Sequence, residues 1–240
     1  HGTPTSDLSD DDLRDGLSDA LKKLGTRKRV MAVPPDFTRF HSRAGLLTQQ
    51  AHAYYGDALT DVLPALGTHT AMQEPQLQRM FGDIPRDRFR VHDWRERVAT
   101  IGEISADEVR EISEGCVDYA WPAQLSTYIT EGQHDLILSI GQVVPHEVIG
   151  MANYTKNLLV GTGGPDGINK SHYLGAAYGM ERIMGRARNP VRELINRAAS
   201  RFLKDYPVVY VLTVVGIDEN SGTKVRGLFI GDDDDCFYRA

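Results

Sequence analysis

Three short segments hold residue types able to do chemistry. The first is Asp36-Phe37-Thr38-Arg39, directly after the pair Pro34-Pro35. An arginine in such a loop can hold a carboxylate or phosphate through two parallel hydrogen bonds, with Asp36 and Thr38 orienting it or meeting a ligand hydroxyl. The alternative is an ion pair that only stabilises the loop. The second segment, Gly67-Thr68-His69-Thr70, offers a histidine suited to general acid or base work, or a ring satisfied by loop backbone. The third runs from Gly141 to His172 and contains His146, Lys156 and His172 together with Gly161, Gly163, Gly164 and Gly167. Neither HExxH nor a cysteine cluster supplies a standard zinc spacing. A single histidine can still be the protein ligand of a metal held mainly by another group, and imidazole suits nickel as well as zinc, copper and iron. The glycines allow close approach of backbone to a ligand, and a helix starting near Asn169 would offer free amides to a phosphate. The stretch lacks GxxxxGK[ST], so it is not a P-loop, and a turn-rich loop is the plain alternative.

These segments need elements to position them. Ser9 and the acids Asp10-Asp11-Asp12 precede Leu13, Leu17, Leu21 and Leu24, which predicts an amphipathic helix. Val30 to Val33 reads as a buried strand, Arg43 to Tyr55 as a helix and Leu59 to Leu66 as an apolar run broken by Pro64. Glu74 to Met80 and Ala106 to Ile112 read as helices, with short strands at Phe89 to His92 and around Val117 and Ile129. His134 to Ile140 is the clearest strand, nearly continuous in apolar residues as strands buried on both faces are. Tyr173 to Met184 reads as one helix, and Asn189-Pro190 to Leu203 as an Asn-capped helix. Val208 to Val215 and Lys224 to Ile230 read as neighbouring strands joined by a turn at Asn220-Ser221-Gly222. Strands alternating with helices predict an α/β fold, a Rossmann-like, largely parallel sheet flanked by helices, with ligands at the loops leaving the strands' carboxyl ends. His41, His52, His92 and His134 lack a comparable context and read as surface or structural residues, Trp94 and Trp121 as packing residues, and Asp232 to Asp235 as a solvated acidic run.

Composition sets the outer bounds. The 240 residues are 41% hydrophobic and 25% charged, which excludes a disordered tail or a collagen-like fibre. A net charge of −6 removes the electrostatic footprint of a general nucleic-acid binder. No run approaches the ~18 to 20 apolar residues of a membrane helix, and the first residues do not form a signal peptide. A soluble, cytoplasmic protein without nucleic-acid or membrane partners is expected, although a start at His1 suggests a processed end. Cys116 and Cys236 read as free thiols.

In combination the segments are more specific than any one of them. DFTR, then GTH, then PH after an apolar strand, then Lys156, a glycine-rich stretch and His172 resemble the nickel-dependent lactate racemase family from about Val30 to Gly231. The resemblance implies a nickel-pincer nucleotide, a nicotinic-acid-derived mononucleotide attached through a thioamide to Lys156, with His172 as nickel ligand. It also implies His69 and His146 as acid and base on opposite faces of a 2-hydroxy acid, with Arg39 and Asp36 at the substrate. Thr38, Gly163 and Gly164 fall to the cofactor, and the proteins that make the cofactor become partners. The implied activity is inversion at C2 of a 2-hydroxy carboxylate, lactate-like or larger, such as an aldonic acid. Two departures stand out. Gly150-Met151-Ala152-Asn153-Tyr154-Thr155-Lys156 is bulkier than the glycine-rich segment many relatives carry before the lysine. The family's C-terminal domain would begin where this sequence ends, so residues 1–240 are expected to form the N-terminal cofactor-binding and catalytic domain, poorly active alone. A metal-dependent hydrolase using His69 and His146, and a non-catalytic nucleotide- or anion-binding module using Arg39 and the glycine-rich loop, are the competing readings.

Overall fold

The computed structural model describes residues 1–218 and 222–240. In chain order the elements are α1 (Asp10–Leu24), β1 (Val30–Val33), α2 (Ala44–Tyr55), β2 (Leu59–Val62), α3 (Glu74–Phe81), β3 (Val98–Ile104), α4 (Ala106–Ile112), β4 (Trp121–Ser126), α5 (Thr127–Thr130) and β5 (Leu136–Val143). They continue with β6 (Pro145–His146), β7 (Gly150–Met151), α6 (Thr155–Leu159), α7 (Pro165–Tyr178), α8 (Met180–Ile183), α9 (Pro190–Phe202), β8 (Val208–Asp218), β9 (Gly222–Gly231) and α10 (Asp235–Arg239).

The main sheet has the order β2-β1-β5-β8-β9. Its first four strands are parallel, and β9 closes one edge antiparallel to β8. Alternate residues feed two cores, as the strand's two-residue period requires. Met31, Val33, Ile137, Tyr210 and Leu212 face α4, α6, α7 and α9. Val30, Ala32, Leu136, Leu138, Val209 and Val211 face the leucines of α1 and the inner sides of α2 and α3. Helices on both faces explain why β5 reads as a continuous apolar run. In α1 the Ser9 side chain accepts from the Asp12 amide and Asp12 reaches back, while Leu13, Leu17 and Leu21 are fully buried.

Several sequence expectations shift. The strands sought near Val117 and Ile129 are β4, between those positions, and Ile129 lies in α5. The partner of β4 is β3, whose VATIGEI pattern is only half buried and gives little periodic signal. Phe89 to His92 forms no strand, only a single bridge from Phe89 to Val62. Strand β2 ends at Val62, two residues before Pro64, which has no N–H to give a ladder. Helix α7 starts at Pro165, where the missing N–H costs nothing, and stops at Tyr178 because Gly179 turns away with φ 108°, so α8 is separate. The expected turn at Asn220-Ser221-Gly222 lies, at Asn220 and Ser221, outside the described residues. Cys116 is exposed, Cys236 is buried, and both are free. Among the described residues no helix is long and apolar enough to cross a membrane.

A buried polar knot fixes β2. The Asp61 carboxylate accepts from His134 Nε2 at 2.8 Å, Arg90 Nε at 2.7 Å and Thr60 Oγ1 at 2.7 Å. Burial pushes the carboxyl pKa up, but these donors more than offset it and hold it far below the carboxylate range. A depressed folded-state pKa gives stability that is present above the unfolded value of ~3.9 and is lost as pH falls below it. Asp61→Asn is expected to cost about 3–5 kcal/mol at pH 7, the penalty of removing one partner of a buried charge cluster. In urea titrations the gap between variant and wild type should narrow as pH falls below about 4; a gap unchanged at low pH would mean that the charge contributes nothing.

Candidate active site

The chain leaves β1 toward β2 on one side and returns to β5 on the other, so the strand order reverses at β1 and opens a crevice beyond the carboxyl ends of β1 and β5. A cavity of about 300 Å³ lies there. The loop after β1 supplies Asp36, Thr38 and Arg39, the loop after β2 supplies His69, and the segment after β5 supplies His146, Lys156 and His172. The structure therefore brings together seven of the nine residues singled out in the sequence.

Asp36 caps the 3-10 turn Phe37–Ser42 and uses both oxygens. Oδ1 accepts from the Thr38 amide at 2.9 Å and the Thr38 hydroxyl at 2.5 Å, and Oδ2 meets His69 Nδ1 at 2.5 Å. Buried and acceptor-only, Asp36 fixes a proton on Nδ1 and leaves Nε2 of the neutral ring as an acceptor. His69 stands largely exposed at the cavity mouth. Its loop is anchored where the Gly67 amide donates to the Gly161 carbonyl at 2.8 Å. A Cβ at Gly161 would lie 2.9 Å from that of Ala65 and 2.4 Å from the Asn157 carbonyl oxygen, so glycine is needed for this approach. Among the described residues, the Arg39 guanidinium has no protein partner; its backbone amide donates to Asp36.

His146 and His172 face each other with ring centroids 6.2 Å apart and planes at 76°. The Val148 amide donates to His146 Nδ1 at 3.3 Å, so the neutral ring carries its proton on Nε2. Burial, then the charge of Lys156, pushes the His146 pKa down to about 4. In α7, His172 Nδ1 donates to the Ile168 carbonyl at 2.8 Å, which leaves the Nε2 lone pair free. Burial lowers this pKa too, against the pull of the Ile168 carbonyl.

Half-buried Lys156 is the second residue of α6 and makes no side-chain hydrogen bond among the described residues. Its desolvation, together with the charges of Arg192 and Arg39, pushes the ammonium pKa down to about 8. The preceding residues Asn153 and Tyr154 have φ of 64° and 58°, so non-glycine side chains adopt here the left-handed backbone that glycine takes most readily.

Gly163 and Gly164 do not line the cavity. A Cβ at Gly163 would fall 2.2 Å from the Leu159 carbonyl oxygen, and one at Gly164 2.6 Å from Gln124 Oε1, so both positions serve close packing. Buried His92 bonds to the Gly163 carbonyl, the structural role expected of it. Sequence reasoning missed Gln142, Glu147, Asn153 and Asn157, which also line the cavity. Asn157 Nδ2 donates to the Val33 carbonyl and to Ser139 Oγ, both at 3.0 Å, tying α6 to the end of β1 and the middle of β5. Gln142 is buried and, among the described residues, its Oε1 lacks a partner; a polar residue breaking an apolar strand was the available signal. No three His, Cys, Asp or Glu side chains among the described residues gather as a metal site of their own.

The comparisons agree with this architecture. A Thermotoga maritima protein of known crystal structure aligns over 97% of this chain and 57% of its own, with a TM-score of 0.84 and 25% identity. The lactate racemase apoprotein of Thermoanaerobacterium thermosaccharolyticum aligns over 98% of this chain and 54% of its own, with a TM-score of 0.68 and 18% identity, a likeness of fold. The chain thus spans a little over half the length of these structures. No curated protein matches it in sequence. The family model described as the lactate racemase N-terminal domain matches residues 16–182, a span that includes all the cavity residues discussed above. By that match the chain belongs to the lactate racemase N-terminal domain family.

Proposed function

We propose that this chain is the cofactor-binding and catalytic domain of a nickel-dependent racemase or epimerase acting at C2 of a 2-hydroxy carboxylic acid. The observation that carries the reading is one cavity in which an unbonded lysine of lowered pKa, a histidine with Nε2 free and two further histidines meet an unpartnered arginine. These residues fit a lysine-linked nickel-pincer nucleotide. Lys156 Nζ would carry it, His172 Nε2 would ligate its nickel, and the unpartnered Gln142 Oε1 offers an acceptor to a bound N–H or O–H. When bound, the group supplies a hydride acceptor and donor for C2.

The chain's own residues do the rest. Arg39 can hold the substrate carboxylate through a forked pair of hydrogen bonds. His69, oriented by Asp36, presents Nε2 as an acceptor for the hydroxyl proton, and Asp36 stabilises the imidazolium that results. His146 would return a proton to the C2 oxygen on the other face, having first bound one from solvent at Nδ1 in place of the Val148 amide, so that it ends as a neutral ring. For the opposite enantiomer the two roles exchange, which the long Val148 bond permits at little cost. Thr38 lines the cavity and braces Asp36 through its hydroxyl.

The test is the nickel content and intact mass of the chain purified from cells that make the cofactor. A nickel-associated adduct is expected; a folded chain without one, beside a loaded lactate racemase from the same cells, overturns the reading. His172→Ala should lose nickel at least tenfold more readily on dialysis against a chelator, with the organic adduct still on Lys156. Unchanged nickel retention would move the ligand elsewhere.

A further inference from the structure

Arg192 lies on α9, 1% exposed, and among the described residues no carboxylate reaches it. Burying a guanidinium without a counter-ion is costly, so the groups that accept its hydrogen bonds show what the position gains. All of them belong to one segment. Nη2 donates to the Met151 carbonyl, and Nη1 donates to the Asn153 carbonyl at 3.2 Å and Thr155 Oγ1 at 3.3 Å. Its Cζ stands 4.8 Å from the centre of the Phe237 ring, a cation–π contact from α10. The bonded segment includes Asn153 and Tyr154, the two left-handed residues. Such a backbone costs of order 1–3 kcal/mol at each non-glycine residue and persists only where the surroundings over-determine it. Here the surroundings are Arg192 beneath the carbonyls, with Phe237 and Tyr210 against the Tyr154 ring at 5.1 and 4.4 Å. The next residue after Thr155 is Lys156.

We propose that Arg192 is the positioning residue of Lys156, clamping the strained Met151–Thr155 turn so that the amine projects into the cavity. The proposal rests on reading Lys156 as the attachment residue. A second effect follows from the same placement. The charged and titratable groups around the amine are Asp36, Arg39 and His69 from the loops after β1 and β2, His146 and Glu147 after β5, His172 from α7 and Arg192 from α9. The carboxylates favour the ammonium, and Arg192 and Arg39 oppose it. Arg192 therefore both aims the lysine and helps keep it unprotonated.

The experiment needs no cofactor. The free chain is pulsed with acetic anhydride from pH 6.5 to 10, and acetylation of Lys156 is read by peptide mass spectrometry against exposed Lys204 as internal standard. For the wild type, the Lys156 rate is expected to reach half its plateau near pH 8. In Arg192→Met the Lys156 pH midpoint should move up and the Lys156 to Lys204 ratio at pH 7 should fall severalfold, since an upward shift leaves less free amine. Amides 151–156 should also exchange with deuterium at least tenfold faster than in the wild type. Arg192→Lys, which keeps the charge but cannot fork to three acceptors, should recover most of the pH midpoint and little of the amide protection. A purely structural role would lower the melting temperature and leave the Lys156 profile unmoved, and that result overturns the proposal. So does failure of both variants to fold, which would make Arg192 a core residue first. Because the chain is cofactor-free throughout, the two failures are distinguishable: absence of an adduct in cells overturns the attachment reading, and an unmoved Lys156 profile overturns the positioning by Arg192.

Discussion

Lys156→Ala is expected to yield a folded chain that takes up no covalent adduct at all. The argument for an intact fold is that the Lys156 amine has no hydrogen-bond partner among the described residues and is held away from bulk water as an unfavourable charge. Truncating it removes little that the native state relies on, so the melting temperature should stay within a few degrees. The argument for complete loss of loading is that no other lysine lines the cavity. Intact mass after expression beside the cofactor-making proteins decides it, and an adduct persisting in the variant would transfer the attachment elsewhere. Loading of the wild type should also depend on pH with a fixed sign. The amine is half deprotonated near pH 8, so the rate should climb toward that value and fall about tenfold per unit well below it. A loading rate flat from pH 6 to 8 would contradict attack by this amine.

His69→Ala and His146→Ala are each expected to slow racemisation by about 10²- to 10⁴-fold, the usual contribution of a placed general acid or base. On the proposed mechanism racemisation needs both rings, so either loss should slow the interconversion in both directions. The two variants should differ in a half-reaction. On the proposed mechanism each ring serves the hydroxyl of one enantiomer, so oxidation to the ketone in a single turnover should survive for opposite enantiomers in the two variants. Chiral chromatography after a single turnover of loaded protein, with and without a lactate racemase C-terminal domain appended, gives the answer. Equal residual activity toward both enantiomers in either variant would remove that histidine from the proton path. Asp36→Asn belongs to the same test, because an amide can present its N–H to His69 Nδ1 and reverse the tautomer that the carboxylate imposes.

Much of this site was legible in the sequence because a parallel sheet exposes its chemistry in a fixed place. Once Val30 to Val33 and His134 to Ile140 read as strands, the loops after them had to meet, and DFTR and PH were in those loops. What stayed hidden depended on packing that no period reports. Arg192 sits in an amphipathic helix where a cation normally marks the solvent face; the carbonyls and Thr155 hydroxyl of the Met151–Thr155 turn, with the Phe237 ring, draw it inward. Gly163 and Gly164 read as a ligand cradle because glycine marks close approach, yet the approaching partners are Leu159 and Gln124 of the chain itself. Asp36 read as a substrate contact, whereas both of its oxygens are committed to Thr38 and His69. Strand β3 was missed because Gly102 and a half-buried pattern give neither alternation nor a continuous apolar run.

On the proposed reading the Arg39 guanidinium, without a carboxylate of its own among the described residues, would make substrate capture an ionic-strength problem. On the proposed reading Lys156 loses its charge when it is acylated, and Arg39 is then the one permanently cationic side chain lining a cavity that also carries Asp36 and Glu147. Among the protein's own side chains, an approaching anion then meets a single positive centre partly cancelled by its neighbours, whose field reaches only about 8 Å at physiological salt. Dilute buffer should therefore speed the approach of a monocarboxylate only modestly, and a dicarboxylate should meet repulsion at its second charge.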